Sequence, residues 1–143
     1  MAQSSIENIL QEPAAAYATT GSRLDLVTLS RRGVKKQALL NLGKQLNLNL
    51  KELAALLPVT ARTLQRRKAD SLLGTAVSEH IILIAELAEK GSEIFSGIES
   101  FNKWLREENT ALGSHRPLDL LDTAIGVQLV SEELGKLEYG VYS

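Results

Sequence analysis

The segment that decides the fold of the front half of the chain is Asn49–Ala69, NLKELAALLPVTARTLQRRKA. Asn49 and Glu52 have the spacing of a capping box: the Asn side chain accepts from a free amide of the first helical turn, and the Glu side chain reaches back. Pro58 ends this first helix, because the residue before a proline is pushed out of the helical region. Thr60 then caps a second, basic helix. The segment therefore predicts two short helices joined by a turn of about three residues, the length typical of a helix-turn-helix.

Working outward, a longer helix precedes this pair. Between Lys35 and Leu46, apolar residues recur at steps of three and four, which places them on one helical face (Ala38, Leu39, Leu42 and Leu46). Gly43 lies inside this helix at a cost of about 1 kcal/mol relative to Ala, and close packing is the only reason that the sequence suggests for it. The stretch Arg23–Ser30 alternates irregularly, so an extended segment and a short turn are both left open.

The second half of the chain also has helical patterns. We expect Ser78 to cap a helix that runs to Lys90, with Gly91 at the position after its end. A further helix fits Ile98–Glu107, with Trp104 among its inward, core residues.

The last helix follows a short helical turn that Pro117 opens. Its N-cap is Asp122 or Thr123. Its apolar residues are expected to form one stripe: Ile125, Leu129, Val130, Leu134 and Leu137. The prediction is an all-α protein, with a helix-turn-helix domain at residues 21–73, a small helical domain at residues 74–143, and a loosely ordered arm at residues 1–20.

Charge is divided unevenly between these two domains. The 143-residue chain has a formal net charge of −1. Residues 21–68 nevertheless contain eleven Lys or Arg and two acidic residues, whereas residues 69–143 contain five Lys or Arg and thirteen acidic residues. The two parts thus carry +9 and −8, which indicates different partners for each and a polyanion for the basic part.

The basic helix is the candidate DNA-binding element. With Ala61 and Leu64 facing inward, the side chains of Arg62, Thr63, Arg66 and Arg67 face away from the core, and Gln65 lies at the flank. The second helix of a helix-turn-helix enters the major groove, where Arg pairs with guanine and Gln with adenine. Arg62 or Arg66 and Gln65 are therefore predicted to read bases.

Three further residues are predicted to contact phosphate, which positions the protein without specifying sequence: Thr60, Arg67 and Lys68. The alternative is a solvated helix with surplus charge, because basic clusters are common. The tight turn, the cap and the charge of +9 favour DNA.

An enzyme is the rival class of function, and no catalytic constellation supports it. The chain has no Cys, and its two His residues, His80 and His115, do not have the spacing of a helical zinc pair. Both are expected to have structural or solvent-facing roles. Asp119 and Asp122 fit helix-start positions better than a catalytic pair. We expect no metal, no cofactor and no enzymatic activity.

Targeting signals are also missing from the pattern. The N-terminus lacks a basic region followed by an apolar run, and the longest apolar run, Ile81–Ala85, is far too short to cross a bilayer. The expectation is a soluble, cytoplasmic protein without a membrane partner.

Two stretches resemble a known family. The segment LNLKELAALLPVTARTLQRRKADSLL resembles the Xre-type helix-turn-helix of type II antitoxins, which are bacterial. The stretch FNKWLREENTALGSHRPLDLLDTAIGVQLVSEELGKLEYGVYS resembles the toxin-binding domain of Xre/ParS-like antitoxins that pair with RES-domain toxins. The second match is the more specific, because its ordered string WL, LG, PLDLL, T, G and YGV combines unusual residues.

This resemblance implies two tasks. The C-terminal domain would bind and block a RES-domain toxin that degrades NAD, and the N-terminal domain would bind operator DNA and repress the operon. Members of the family act as homodimers and larger assemblies with their toxins.

The C-terminal tail is the candidate toxin contact: Tyr139, Gly140, Val141, Tyr142 and Ser143. Two Tyr residues supply contact area at low entropic cost, and a free carboxylate could plug a small-molecule pocket. The alternative for the tail is a frayed end packed on its own domain. The alternative for the whole protein is a helix-turn-helix transcription regulator with a small-molecule-sensing C-terminal domain.

Overall fold

The computed structural model describes residues 23–140, and all its regular elements in that range are helical, which confirms the all-α prediction. The expected arm at residues 1–20 lies outside the described residues. The α-helices within the range are α1 (Arg23–Arg32), α2 (Lys36–Leu46), α3 (Leu50–Ala55), α4 (Ala61–Arg66), α5 (Thr75–Ile94), α6 (Ile98–Leu105) and α7 (Ala124–Glu138). Two 3-10 helices, Thr110–Leu112 and Pro117–Leu120, connect α6 to α7.

The helix-turn-helix forms as the sequence predicts. The amide of Glu52 donates to Asn49 Oδ1 and the amide of Asn49 donates to Glu52 Oε1, both at 2.9 Å, so the capping box of α3 is complete. At the start of α4, the hydroxyl of Thr60 accepts from the amide of Thr63 at 3.1 Å. These caps satisfy amides that the first turn of a helix leaves unpaired, and they set where each short helix begins.

Gly43 is explained by close packing. A Cβ atom at this position would lie 2.8 Å from the carbonyl oxygen of Leu48 and 2.8 Å from Leu53 Cδ1. The chain therefore turns from α2 into α3 across the bare face of Gly43, and any side chain there would push the two helices apart.

The stretch Arg23–Ser30, for which the sequence left an extended segment and a short turn open, is part of helix α1. Helix α1 packs against the long helix α5, burying Leu29 completely, and Arg23 pairs with Glu86 of α5 at 2.6 Å. Its irregular apolar pattern hid the helix because Leu24 and Val27 remain exposed to solvent.

The predicted limits of α5 are wrong at both ends. Ser78 lies inside the helix, fully buried, where its hydroxyl donates to Leu73 O and accepts from the amide of Val34, both at 3.0 Å. It therefore joins two connecting segments instead of capping. Gly91 also lies inside the helix, which continues to Ile94. A glycine is needed there because a Cβ atom would overlap the ring of Phe101.

The predicted apolar stripe of α7 is also wrong. Val130 and Leu134 are buried, but Ile125 is 71% exposed and Leu129 is 46% exposed. At 100° per residue, Ile125 points about 180° away from Leu134 and Leu129 about 140° away, so the five residues cannot share one face. The N-cap is Thr123, whose hydroxyl accepts from the amide of Gly126 at 2.9 Å.

Helix α6 ends at Leu105, two residues before the predicted end. Side chains near this end join the C-terminal part of the molecule to the end of α2 in the N-terminal part. Asn102 Nδ2 donates to the carbonyl of Gln45 at 2.8 Å, and the guanidinium of Arg106 donates to the carbonyls of Leu46 and Asn47 at 2.6 and 3.2 Å. They satisfy carbonyls that the end of α2 leaves unpaired. The buried residues of both parts form one continuous apolar core.

Trp104 lies at the edge of this core. It is half-buried, and its ring stacks on Phe101 at a centroid distance of 6.1 Å and contacts Phe95 at 5.8 Å. The expected core role therefore holds for one face of the indole.

Candidate DNA-binding and partner-binding surfaces

Helix α4 and the two residues that follow it present a group of exposed cations. Leu64 is fully buried and anchors the helix, while Arg62, Arg66, Arg67 and Lys68 are exposed. We call these four residues the cationic surface. Their exposure agrees with the outward direction that the helical spacing predicts.

The last two cations of this surface do not belong to the helix. Helix α4 ends at Arg66, and the backbone of Arg67 is extended, with φ −78° and ψ 144°. The segment that carries Arg67 and Lys68 is held against the start of α2. Lys36 Nζ donates to the carbonyl of Arg67 at 2.9 Å, and the amides of Lys36 and Gln37 donate to Ser71 O and Ala69 O at 3.0 and 2.8 Å.

These contacts replace a side-chain cap. Lys35, at the N-cap position of α2, makes no side-chain cap hydrogen bond, and the carbonyls of the connecting segment take up the helix amides instead. The segment after α4 is therefore anchored to α2 over several hydrogen bonds, which gives Arg67 and Lys68 a defined place beside Arg66.

The uncharged residues of the predicted site have distinct local roles. Thr60 is exposed, but its hydroxyl is engaged in the helix cap and donates to Thr63 Oγ1 at 2.9 Å. The hydroxyl of Thr63 retains its own hydrogen as a donor to a ligand. Gln65 is exposed at the side of α4, next to the arginines.

The positive charge of the cationic surface is not neutralised internally. Within residues 23–140, no carboxylate lies in ion-pair distance of Arg62, Arg66, Arg67 or Lys68. By contrast, Arg23 and Arg116 each pair with a carboxylate. Unpaired cations side by side on an exposed helix attract a polyanion.

The C-terminal tail is described only in part. Tyr139 is 81% exposed, and Gly140 has φ +66°, a conformation that favours Gly. Val141, Tyr142 and Ser143 lie outside the described residues. The tail therefore leaves α7 as an exposed aromatic residue followed by a turn.

Sequence reasoning missed a second exposed feature of this part of the chain. Ile125 and Leu129 lie one turn apart on one side of α7, and we call this pair the outer stripe. Tyr139, the first residue of the tail, follows on the same side at the end of the helix. The signal for it was present: Val127, Val130 and Leu134 already supply the buried face, so Ile125 and Leu129 have to point outward.

The two histidines have no catalytic arrangement. His80 is buried, and its Nε2 donates to the carbonyl of Leu121 at 2.7 Å, which holds α5 to the segment before α7. His115 is exposed, and its carbonyl accepts from the amide of Asn109 at 3.0 Å. In the described part of the chain, no group of three or more His, Asp or Glu residues could hold a metal ion.

Asp119 is paired with an arginine, not with another carboxylate. Arg116 donates to its two oxygens at 2.9 and 2.7 Å, and these hydrogen bonds lower the pKa of the Asp119 carboxyl. The same bonds raise the pKa of Arg116. The pair ties down the 3-10 helix at Pro117 and does not form a proton-transfer site.

Between residues 23 and 140, no helix is both long enough and apolar enough to span a membrane.

Comparisons with known proteins match both parts of the chain. Residues 25–86 match the family model of the antitoxin Xre-like helix-turn-helix domain, and residues 90–140 match that of the antitoxin Xre/MbcA/ParS C-terminal toxin-binding domain. A protein named Prs ADP-ribosylating antitoxin, from Sphingobium sp. (strain YBL2), is 28% identical over 132 residues, which cover 85% of this chain and 83% of that protein. The first match includes part of α5, and the division at residues 73 and 74 stays a prediction.

Proposed function

Because the chain belongs to the Xre/MbcA/ParS family of antitoxins, we propose that it neutralises a RES-domain toxin that degrades NAD and represses its own operon by binding operator DNA. The observation that carries the proposal is the presence, in one chain, of an unpaired cationic surface in a helix-turn-helix and of a toxin-binding domain whose last helix ends at the exposed Tyr139. The two surfaces lie on different helices, α4 and α7, so each has its own partner.

The DNA-binding half of the proposal rests on the cationic surface. Arg62 and Arg66 extend from α4 and form pairs of hydrogen bonds with guanine, while Gln65 is placed for adenine. Arg67 and Lys68 contact phosphate, and the hydroxyl of Thr63 donates to the same backbone. The hydroxyl of Thr60 is occupied by the helix cap, so its part in phosphate binding is to position Thr63.

We propose that the operator is bound by a homodimer. One α4 of six residues covers a short stretch of major groove, and a two-fold pair of such helices would read half-sites about one helical turn apart. Sedimentation of the purified protein, alone and with operator DNA, measures this assembly.

The test of DNA binding is a titration of the protein with its own promoter DNA. The triple variant Arg62→Ala, Arg66→Ala, Arg67→Ala should no longer bind promoter DNA. Arg66→Ala alone should cost about 1–3 kcal/mol of binding free energy if Arg66 reads a base. The matched control is Lys103→Ala on α6, an exposed cation outside the helix-turn-helix. If the triple variant binds promoter DNA as tightly as the wild type, α4 does not enter the major groove.

The toxin-binding half of the proposal rests on the tail from Tyr139 to Ser143, which would block the toxin's substrate pocket. The relative's name refers to ADP-ribosylation, and ADP-ribosyl transfer and NAD degradation both consume NAD. The proposed target is therefore an enzyme with an NAD site, which the aromatic residues of the tail would fill.

Co-expression with the protein encoded by the neighbouring gene tests this half. Cells that carry the toxin alone should lose NAD, the full-length antitoxin should preserve it, and an antitoxin that ends at Glu138 should preserve it less well. Full protection by the shortened protein would remove the tail from the mechanism.

The alternative of a transcription regulator with a small-molecule sensor predicts a ligand pocket within residues 75–143 and no protein partner. The match of residues 90–140 to a toxin-binding domain favours the antitoxin. Co-purification with the neighbouring gene product separates the two functions directly.

A further inference from the structure

The outer stripe of α7 has a composition that folding of this chain does not explain. Ile125 is 71% exposed and Leu129 is 46% exposed, one turn apart on the same side of the helix. Ala, Glu, Lys or Gln would be better suited to an exposed helix than a β-branched Ile. An apolar pair that contributes little to its own core is typical of a surface that another protein covers.

The stripe is continuous with the tail. Along α7, the positions after Leu129 on the same side are Glu132 and Lys136, both exposed, and then Tyr139 at the end of the helix. From Ile125 to Tyr139 this side extends for roughly 20 Å at the rise of an α-helix. A partner that holds the tail therefore has the whole outer side of α7 within reach.

We infer that the outer stripe is a second contact surface for the toxin, with Ile125 and Leu129 entering an apolar depression on the toxin while the tail occupies its pocket. This inference rests on the proposed function and extends it from the tail to the helix. The stripe lies inside residues 90–140, the part that matches a toxin-binding domain.

The charges around the pair indicate the chemistry of that partner. Asp122, Glu132 and Glu138 are exposed on or near α7, and residues 69–143 together carry −8. DNA is excluded as an occupant by this charge, and the fitting surface is an apolar centre with Lys or Arg at its rim. The helix would supply affinity and orientation, and the tail would supply the block.

The test measures affinity for the purified protein encoded by the neighbouring gene. Ile125→Ala with Leu129→Ala should weaken binding by about 100-fold, since two central apolar contacts of an interface are lost. Both positions are exposed and Ala is the best helix former, so the variant should fold. Circular dichroism and unchanged binding to promoter DNA verify this.

Two controls distinguish the contribution of the outer stripe to toxin binding from non-specific apolar binding and from the contribution of the tail. Leu24→Ala removes an apolar side chain that is 70% exposed on α1, and it should leave toxin binding unchanged. A chain that ends at Glu138 should retain measurable toxin binding, which Ile125→Ala with Leu129→Ala should then abolish.

Two outcomes overturn the inference alone, and a third overturns the proposed function on which it rests. Wild-type affinity in the double variant would assign binding to the tail alone. Loss of self-association in the double variant, with toxin affinity intact, would make the stripe a contact between two copies of this chain. Failure of the wild-type protein to bind the neighbouring product would instead refute the proposed function itself.

Discussion

The two proposed binding regions of this molecule present opposite kinds of surface. The cationic surface consists of long, solvated side chains on a six-residue helix and on the two residues that follow it, and its charge is unpaired within the described residues. The outer stripe consists of apolar side chains on a fifteen-residue helix in an acidic part of the chain. Positive charge attracts the regularly spaced phosphates of DNA at long range, whereas an apolar surface binds a protein whose shape is complementary to it. The two proposed regions therefore suit two different partners.

Salt should separate the two regions most strongly. If all four cations of one protomer contact phosphate, affinity for promoter DNA should fall by about 100-fold from about 50 to about 200 mM salt, and by the square of that factor for a dimer. Affinity for the toxin should fall far less over this range, because the centre of that contact is apolar and only its rim is charged. Fluorescence anisotropy at several salt concentrations measures both. Parallel salt dependence for the two ligands would contradict the division between a charged and an apolar surface.

Two glycines of α7 should respond in opposite ways to the same substitution. A Cβ at Gly126 would lie 1.6 Å from the carbonyl oxygen of Leu120, so Gly126→Ala should destabilise the protein by about 3 kcal/mol. A Cβ at Gly135 would meet only Lys90 Nζ, at 3.6 Å, so Gly135→Ala should stabilise it by up to about 1 kcal/mol through helix propensity.

Urea unfolding of both glycine variants provides the measurement. Equal effects of the two substitutions would mean that the approach of Leu120 to α7 is looser than the structure shows.

Loss of the hydrogen bonds between Arg106, at the end of α6, and the end of α2 should have the next largest effect. Arg106→Ala removes the charged donors to Leu46 O and Asn47 O and should cost about 2 kcal/mol in the free energy of unfolding. Lys103→Ala, an exposed position on the same helix, is the control and should stay within about 0.5 kcal/mol of the wild type. A cost confined to one of two separate unfolding transitions would show that the halves unfold independently.

The smallest effect concerns Asp119. Hydrogen bonds from Arg116 lower the pKa of its carboxyl in the folded state, so the pair stabilises the fold above the ordinary pKa of Asp. This contribution is lost as the pH falls through the lowered pKa. The effect is small, because both side chains are about half exposed.

In Arg116→Ala, an NMR titration should show the pKa of Asp119 moving up towards the value of a free aspartate. A carboxyl that titrates identically in the two proteins would remove the role assigned to Arg116.

Much of the fold was predictable because its signals are local. The capping box at Asn49 and Glu52, the break at Pro58 and the cap at Thr60 involve atoms within three or four residues of each other. The exposure of the arginines on α4 follows from the same short-range spacing. The family resemblance, confirmed by the matches of residues 25–86 and 90–140, added the identity of both domains.

The errors have a common cause, which is that distant residues decided the role of a local signal. Ser78 has the residue type of a cap, but its hydroxyl joins Val34 to Leu73. Gly91 has the residue type of a helix end, but the ring of Phe101 requires its missing side chain. The apolar residues of α7 do not form the single predicted stripe, because apolarity alone does not show which of two faces meets the core.

The sequence by itself determined the helical class, the order of the two domains and the outward charge of α4, because helix caps, proline breaks and helical spacing act over a few residues. Only the tertiary structure decided where α5 begins and ends, which face of α7 is free, and how Arg106 closes the end of α2. Each of these depends on contacts between segments up to about sixty residues apart in the chain, and their partners are chosen by packing rather than by neighbours in sequence.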